Sequence, residues 1–195
     1  MVSQEQKGMS AREKILARIK SNQPNVAAGE ELALTPISFS DPIEKFKETL
    51  ASIGGASLEI EHENQIPDKL LSILPGKKIS RHVGPDDHAK ADPHAYSDTD
   101  VAILRGEFGV AESGAIWITD KQMVDRALPF ICSHLVLVIR KSQIIGTLHD
   151  AYEKIGHAGY ELGTFIAGPS KTADIEQSLV LGAHGAKTMT CFIIR

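Results

Sequence analysis

The run Leu135-Val136-Leu137-Val138-Ile139 is the strongest constraint in this chain. It is continuously apolar, with no polar residue at alternate positions. A strand with one wet face alternates apolar and polar residues; a strand buried on both faces does not. The run therefore predicts a strand inside a parallel sheet covered by helices on both sides.

The flanking segments fit that requirement. Asp41-Pro42 reads as an N-cap followed by proline at the first helical position. Ile43, Phe46, Leu50 and Ile53 recur at helical spacing, and Gly54-Gly55 ends the helix. Strands are predicted over 56–60, 77–83, 101–104, 115–119, 135–139, 165–167 and 188–194. Helices are predicted over 64–74, 142–156 and 172–181. Strands alternating with helical segments argue for an α/β fold with a mostly parallel sheet flanked by helices. In such sheets ligands sit outside the carboxyl ends of the strands.

Residues 10–21 read as a separate helix, with Ser10 and Glu13 forming a capping box. A proline-bearing linker follows, so we divide the chain into an N-terminal helical arm (1–40) and an α/β domain (41–195). The arm suits packing on a partner subunit in a homo-oligomer, or covering its own domain.

Composition narrows the function classes. The formal net charge is −4, which gives no general basic footprint for nucleic acid. No apolar stretch approaches the ~20 residues needed to span a bilayer. The N-terminus lacks the apolar region of a secretory signal. The two cysteines, Cys132 and Cys191, form no C-x-x-C and lie in or beside apolar runs. They read as reduced, buried thiols of a cytoplasmic protein. Two thiols cannot supply the four thiolates of an iron–sulfur cluster. Motifs of a dinucleotide site, a P-loop, a zincin or an α/β-hydrolase are missing.

Four stretches carry candidate chemistry. In Gly109-Val110-Ala111-Glu112-Ser113-Gly114, small residues bracket a carboxylate and a hydroxyl. Glu112 suits a base, a nucleophile or a ligand anchor; it equally suits a solvated β-turn in which Gly114 takes a positive φ. In Phe165–Ala186, Gly168-Pro169 ends a strand and Ser170 or Thr172 can cap a following helix. Asp174 and Glu176 then complement its dipole. The same geometry, with Lys171, suits a phosphate or carboxylate ligand. His184-Gly185 reads as a turn whose histidine is solvated or faces that ligand. The stretch 81–98 holds His82, His88 and His94 with Asp86, Asp87, Asp92 and Asp98, but at no spacing typical of a metal site, so no metal is assigned. Arg126 suits a bidentate clamp on a carboxylate or an ion pair with a nearby acid. Trp117 reads as core or interface packing.

Taken together, GVAESGAIWIT (109–119), RALPFICSHLVLVI (126–139) and FIAGPSKTADIEQSLVLGAHG (165–185) resemble the LUD domain, the LutC/YkgG-like lactate-utilisation family. The resemblance covers 75–195 well and is looser before that. It implies a fold of the NagB/RpiA/CoA-transferase-like kind. It also implies a role in oxidising L-lactate to pyruvate alongside two iron–sulfur partner proteins. On that reading this chain holds no cofactor, and the iron–sulfur clusters reside in the partners. Glu112, Ser113, Gly168, Ser170, Thr172, Asp174, Glu176 and His184 match recurrent positions of the family, with Gly114 and Arg126 beside them. Two other readings stand next to this one. One is a CoA-transferase-like enzyme using Glu112 as nucleophile. The other is a stand-alone module binding an organic acid or a nucleotide.

Overall fold

The computed structural model describes residues 9–23, 37–77, 79–81, 99–123, 125–156, 159–173 and 179–195. The chain divides into two units, Met1–Pro36 and Ile37–Arg195. In the first, helix α1 (Ala11–Ser21) begins at the predicted capping box, with the Ser10 hydroxyl accepting from the Glu13 amide and the Glu13 carboxylate accepting from Ser10 N.

The second unit opens with helix α2 (Pro42–Ser52), whose N-cap Asp41 accepts from the amides of Ile43 and Glu44. Strand β1 (Ala56–Ile60), helix α3 (Ile66–Ile73) and strands β2 (Ile79–Arg81) and β3 (Val101–Arg105) follow. Next come strands β4 (Phe108–Val110) and β5 (Ala115–Thr119), the short helix α4 (Leu128–Ile131) and strand β6 (His134–Arg140). The unit continues through β7 (Ile144–Ile145), helix α5 (Leu148–Ile155), β8 (Gly163–Ile166), β9 (Lys171–Ala173), β10 (Leu179–Leu181) and β11 (Thr188–Ile194).

Five strands form one sheet in the order β1-β11-β6-β3-β2, and every neighbouring pair is parallel. Strand β6 lies at its centre, where the LVLVI run meets apolar partners on both faces. Leu135, Leu137 and Ile139 point to one side, into a core with Phe46 and Leu50 of α2. Val136 and Val138 point to the other, against Ile66 and Leu70 of α3. Phe46, Leu50 and Leu70 are fully buried, and each such side chain contributes about 1.5–3 kcal/mol. The mostly parallel sheet flanked by helices is thus the observed architecture.

A second sheet runs β7-β4-β5-β8. One face, with Ile116 and Ile118, joins the core shared with α2 and the large sheet. On the other, Phe108, Val110 and Trp117 pack with Ala151 and Ile155 of α5. Trp117 is therefore a core residue, tilted against Phe165 with ring centroids 4.6 Å apart.

Three expectations need correction. Residues 142–156 are not one helix. A 3-10 turn (Lys141–Gln143) leads into β7, whose two isoleucines pair in parallel with Gly109 and Val110. Only then does Thr147 cap α5, in a capping box with Asp150. The helix expected over 172–181 is replaced at its described ends by strands: Lys171–Ala173 and Leu179–Leu181 pair antiparallel, so Thr172 is a strand residue and caps nothing. Finally, no strand is predicted between 104 and 115, whereas Phe108–Val110 form β4, so the 109–114 stretch begins inside a strand.

Candidate functional site

The small sheet brings together two of the turns that the sequence singled out and a third that it did not. Val110 pairs with both Ala115 and Ile145, and Ile116 pairs with Ile166. That register puts three turns at one end of the sheet: Ala111–Gly114, Gly146–Leu148 and the chain after Ile166. The last of these contains Gly168, Pro169 and Ser170.

Two of the turns close onto the carboxyl end of α2. Gly114 has φ +64°, and a Cβ there would lie 2.8 Å from Leu50 N. Gly168 has φ +71°, and a Cβ there would lie 2.9 Å from the Ile53 carbonyl oxygen. Both positions combine left-handed backbone with backbone-to-backbone approach, which only glycine tolerates well. The Lys171 ammonium reaches the Gly54 turn, 3.3 Å from where a Cβ would stand. A cation at a helix carboxyl end is favourable.

Ser170 is tied to the His184-Gly185 turn. Its amide donates to the Ala186 carbonyl and its own carbonyl accepts from Gly182 N. Its Cβ lies 3.1 Å from the position a Gly185 Cβ would take. Ser170, His184 and Gly185 thus form one small cluster, in which His184 is exposed.

Glu112 faces elsewhere. Its carboxylate accepts from the amide of Leu148, the first residue of α5, at 2.8 Å. Strands β7 and β8 lie on opposite edges of the sheet, so this bond directs the carboxylate toward the edge away from Ser170 and Thr172. The loops share an end of the sheet, while the Glu112 carboxylate is engaged on the far side of its hairpin. Ser113 is half-buried, and its hydroxyl accepts weakly from Ala115 N at 3.4 Å. Arg126 sits at the opposite end, where its guanidinium pairs with Asp120 at 3.2 Å and with Glu161. Asp174, Glu176 and the histidines of 82–98 lie outside the described residues.

A second feature lies at the carboxyl edge of the large sheet. A cleft of about 270 Å³ opens there, lined by Arg105, Gly106, Val138, Arg140, Ser142 and Ile194, among others. Sequence reasoning passed over Arg105 and Arg140, although the signal was present. The apolar runs of β3 and β6 both terminate in arginine, in VAILR and HLVLVIR.

The comparisons with known proteins agree with this fold. The LUD domain family profile matches residues 92–194, more than half of the chain. The Geobacillus thermodenitrificans protein called lactate utilization protein C is 27% identical over 151 residues, covering 71% of this chain and 62% of that protein. Its Bacillus pumilus namesake is 35% identical over 102 residues, 49% of this chain and 40% of that one. The Escherichia coli protein YkgG is 31% identical over 100 residues, 48% of this chain and 43% of YkgG. The match thus spans only about three-fifths of the length of the first of these relatives. In three dimensions, a DUF162 family protein from Deinococcus radiodurans superposes with a TM-score of 0.62 at 15% identity, over 82% of this chain and all of that one. That likeness concerns the fold. By the profile match, supported by these relatives, the chain belongs to the LUD domain family.

Proposed function

We propose that this chain is the cluster-free component of an L-lactate utilisation system. In that system L-lactate is oxidised to pyruvate, and the two electrons released pass to iron–sulfur partner proteins. The observation that carries the reading is family membership together with relatives called lactate utilization protein C.

The residues support this division of labour. The two cysteines are buried in the core. Burial pushes the Cys132 thiol up to about 11 and Cys191 higher still. Metal and cluster ligation needs the thiolate, which these sites disfavour. The Glu112 carboxylate already holds the start of α5, which favours a structural duty over that of a covalent nucleophile.

Reconstitution tests the reading. The purified chain should show no L-lactate-dependent reduction of an electron acceptor by itself. Adding the iron–sulfur proteins of such a system should restore turnover, and omitting this chain should abolish it. Robust turnover by the chain alone, or full activity without it, refutes the proposal.

A further inference from the structure

The cleft at the carboxyl edge of the large sheet is distinct from the glycine-rich turns of the small one. Its geometry follows from register and side-chain alternation. Val101 and Ile103 of β3, and Val136 and Val138 of β6, face α3. Side chains alternate with period two, so Arg105 and Arg140 fall on that same face, where Ile194 also packs. Register completes the picture: Arg105 pairs with Val138, and Arg140 with Ile194. Three neighbouring strands therefore end with two guanidinium groups beside two aliphatic side chains.

The charges at the carboxyl edge of the large sheet, on its two faces, are unevenly satisfied. Arg105 donates to Glu63 at 2.6 Å. Lys141 and Lys47 both pair with Glu59, and Arg195 pairs with Glu59 and Glu61. Among the described residues, no carboxylate pairs with Arg140. Arg105 also keeps donors in reserve, since a guanidinium carries five N–H groups and one carboxylate does not use them all. The turn beneath Arg140 is held in place: Gln143 Oε1 accepts from Arg140 N at 2.7 Å, and Gln143 Nε2 donates to the Glu107 carbonyl at 2.8 Å. Ser142 adds a hydroxyl to the lining.

We propose that this cleft is an oxyanion-binding site, in which Arg140 clamps the terminal carboxylate or phosphate of a small ligand and Arg105 assists. Guanidinium groups bind both oxyanions through paired N–H donors. Val138 and Ile194 offer an aliphatic wall for the rest of the ligand. The volume of about 270 Å³ falls below the ~300–1,000 Å³ of sites for drug-sized molecules. It suits a ligand, or a ligand end, of few atoms. The position agrees with the general placement of ligands outside the carboxyl ends of parallel strands. The site stands whether or not the chain serves lactate oxidation.

Isothermal titration of the full chain at low ionic strength tests it, with propionate as the carboxylate probe and inorganic phosphate as the phosphate probe. We expect saturable binding of one probe, on the order of millimolar. Arg140→Ala should weaken it at least about tenfold, and Arg140→Lys should restore part of the loss. Lys154→Ala, which removes an equal charge on α5, should bind as the parent does. Tighter binding of propionate assigns an organic acid, and tighter binding of phosphate assigns a phosphorylated ligand; either supports the site. Absence of saturable binding of both probes, or an Arg140→Ala protein that binds like the parent with an unchanged circular dichroism spectrum, overturns it.

Discussion

Glu112 Oε2 accepts the backbone N–H of Leu148 at 2.8 Å, across 36 positions of sequence. The carboxylate thereby sits on the positive end of α5, beside the Thr147 cap. This bond joins the β4–β5 turn to the helix that covers the small sheet. Glu112→Ala loses both the hydrogen bond and the charge–dipole attraction and should cost about 1 kcal/mol. Glu112→Gln keeps an acceptor and should cost roughly half as much. Urea unfolding followed by the single Trp117 reads both. An alanine variant as stable as the parent would show that the bond contributes nothing.

Gly114 and Gly76 separate two costs of adding a methyl group. Both have positive φ, +64° and +73°. A Gly114 Cβ meets Leu50 N at 2.8 Å, whereas a Gly76 Cβ meets nothing within 4 Å. Gly76→Ala should cost only the left-handed penalty, about 1 kcal/mol. Gly114→Ala should cost about 2–4 kcal/mol, because the turn must also move away from α2. Equal losses in the two variants would contradict the close approach.

His134 makes the fold acid-sensitive. It is buried at the start of β6, with Nδ1 2.5 Å from the Thr188 hydroxyl and Nε2 3.1 Å from the Thr190 hydroxyl. Desolvation lowers its pKa from the ordinary 6.5, so the folded state prefers the neutral ring. The unfolded chain then binds the proton more readily. Stability from this group is complete above about pH 6.5 and falls as the pH drops below it. Glu59 adds a lower window. Lys141 first, then Lys47, hold its carboxyl down from 4.5 to about 2, so its contribution is present above about pH 4.5 and is lost toward about pH 2. Unfolding free energies from pH 8 down to 5 should decline below pH 6.5 in the parent, and less steeply in His134→Gln. A flat profile in the parent over that range rules the histidine out.

Cys132 and Cys191 are both buried with raised thiol pKa values. A bulky aromatic disulfide reagent should therefore label neither thiol at pH 8 in the native protein. Both should react within seconds in denaturant. Rapid labelling of the folded chain would place at least one thiol at the surface.

Much of the architecture was legible because its signals are local or periodic. Ser10 and Asp41 cap where the sequence places them, since a cap bonds only to amides two or three residues ahead. The Gly114 turn is legible for a similar reason: Gly114 adopts the positive φ expected of it, whereas the positive φ of Gly168 was not assigned from the sequence. Residues 172–181 misled because two acids after a Ser/Thr pair also read as a helix start. The strand assignment there depends on Leu179, Val180 and Leu181 finding Ala173, Thr172 and Lys171 as partners. Ile144 and Ile145 misled likewise, since apolar residues suit a helix face until a strand such as β4 takes them as partners.

By itself, then, the sequence determined the fully buried central strand, the starts of α1 and α2 and the α/β class. These depend on burial pattern and on bonds between residues close in the chain. Only the tertiary structure decided which turns share one end of the small sheet, where Glu112 directs its carboxylate, and that Arg105 and Arg140 flank one cleft. Those facts depend on strand order and register. Pairing between segments tens of residues apart leaves no periodic trace in either segment alone.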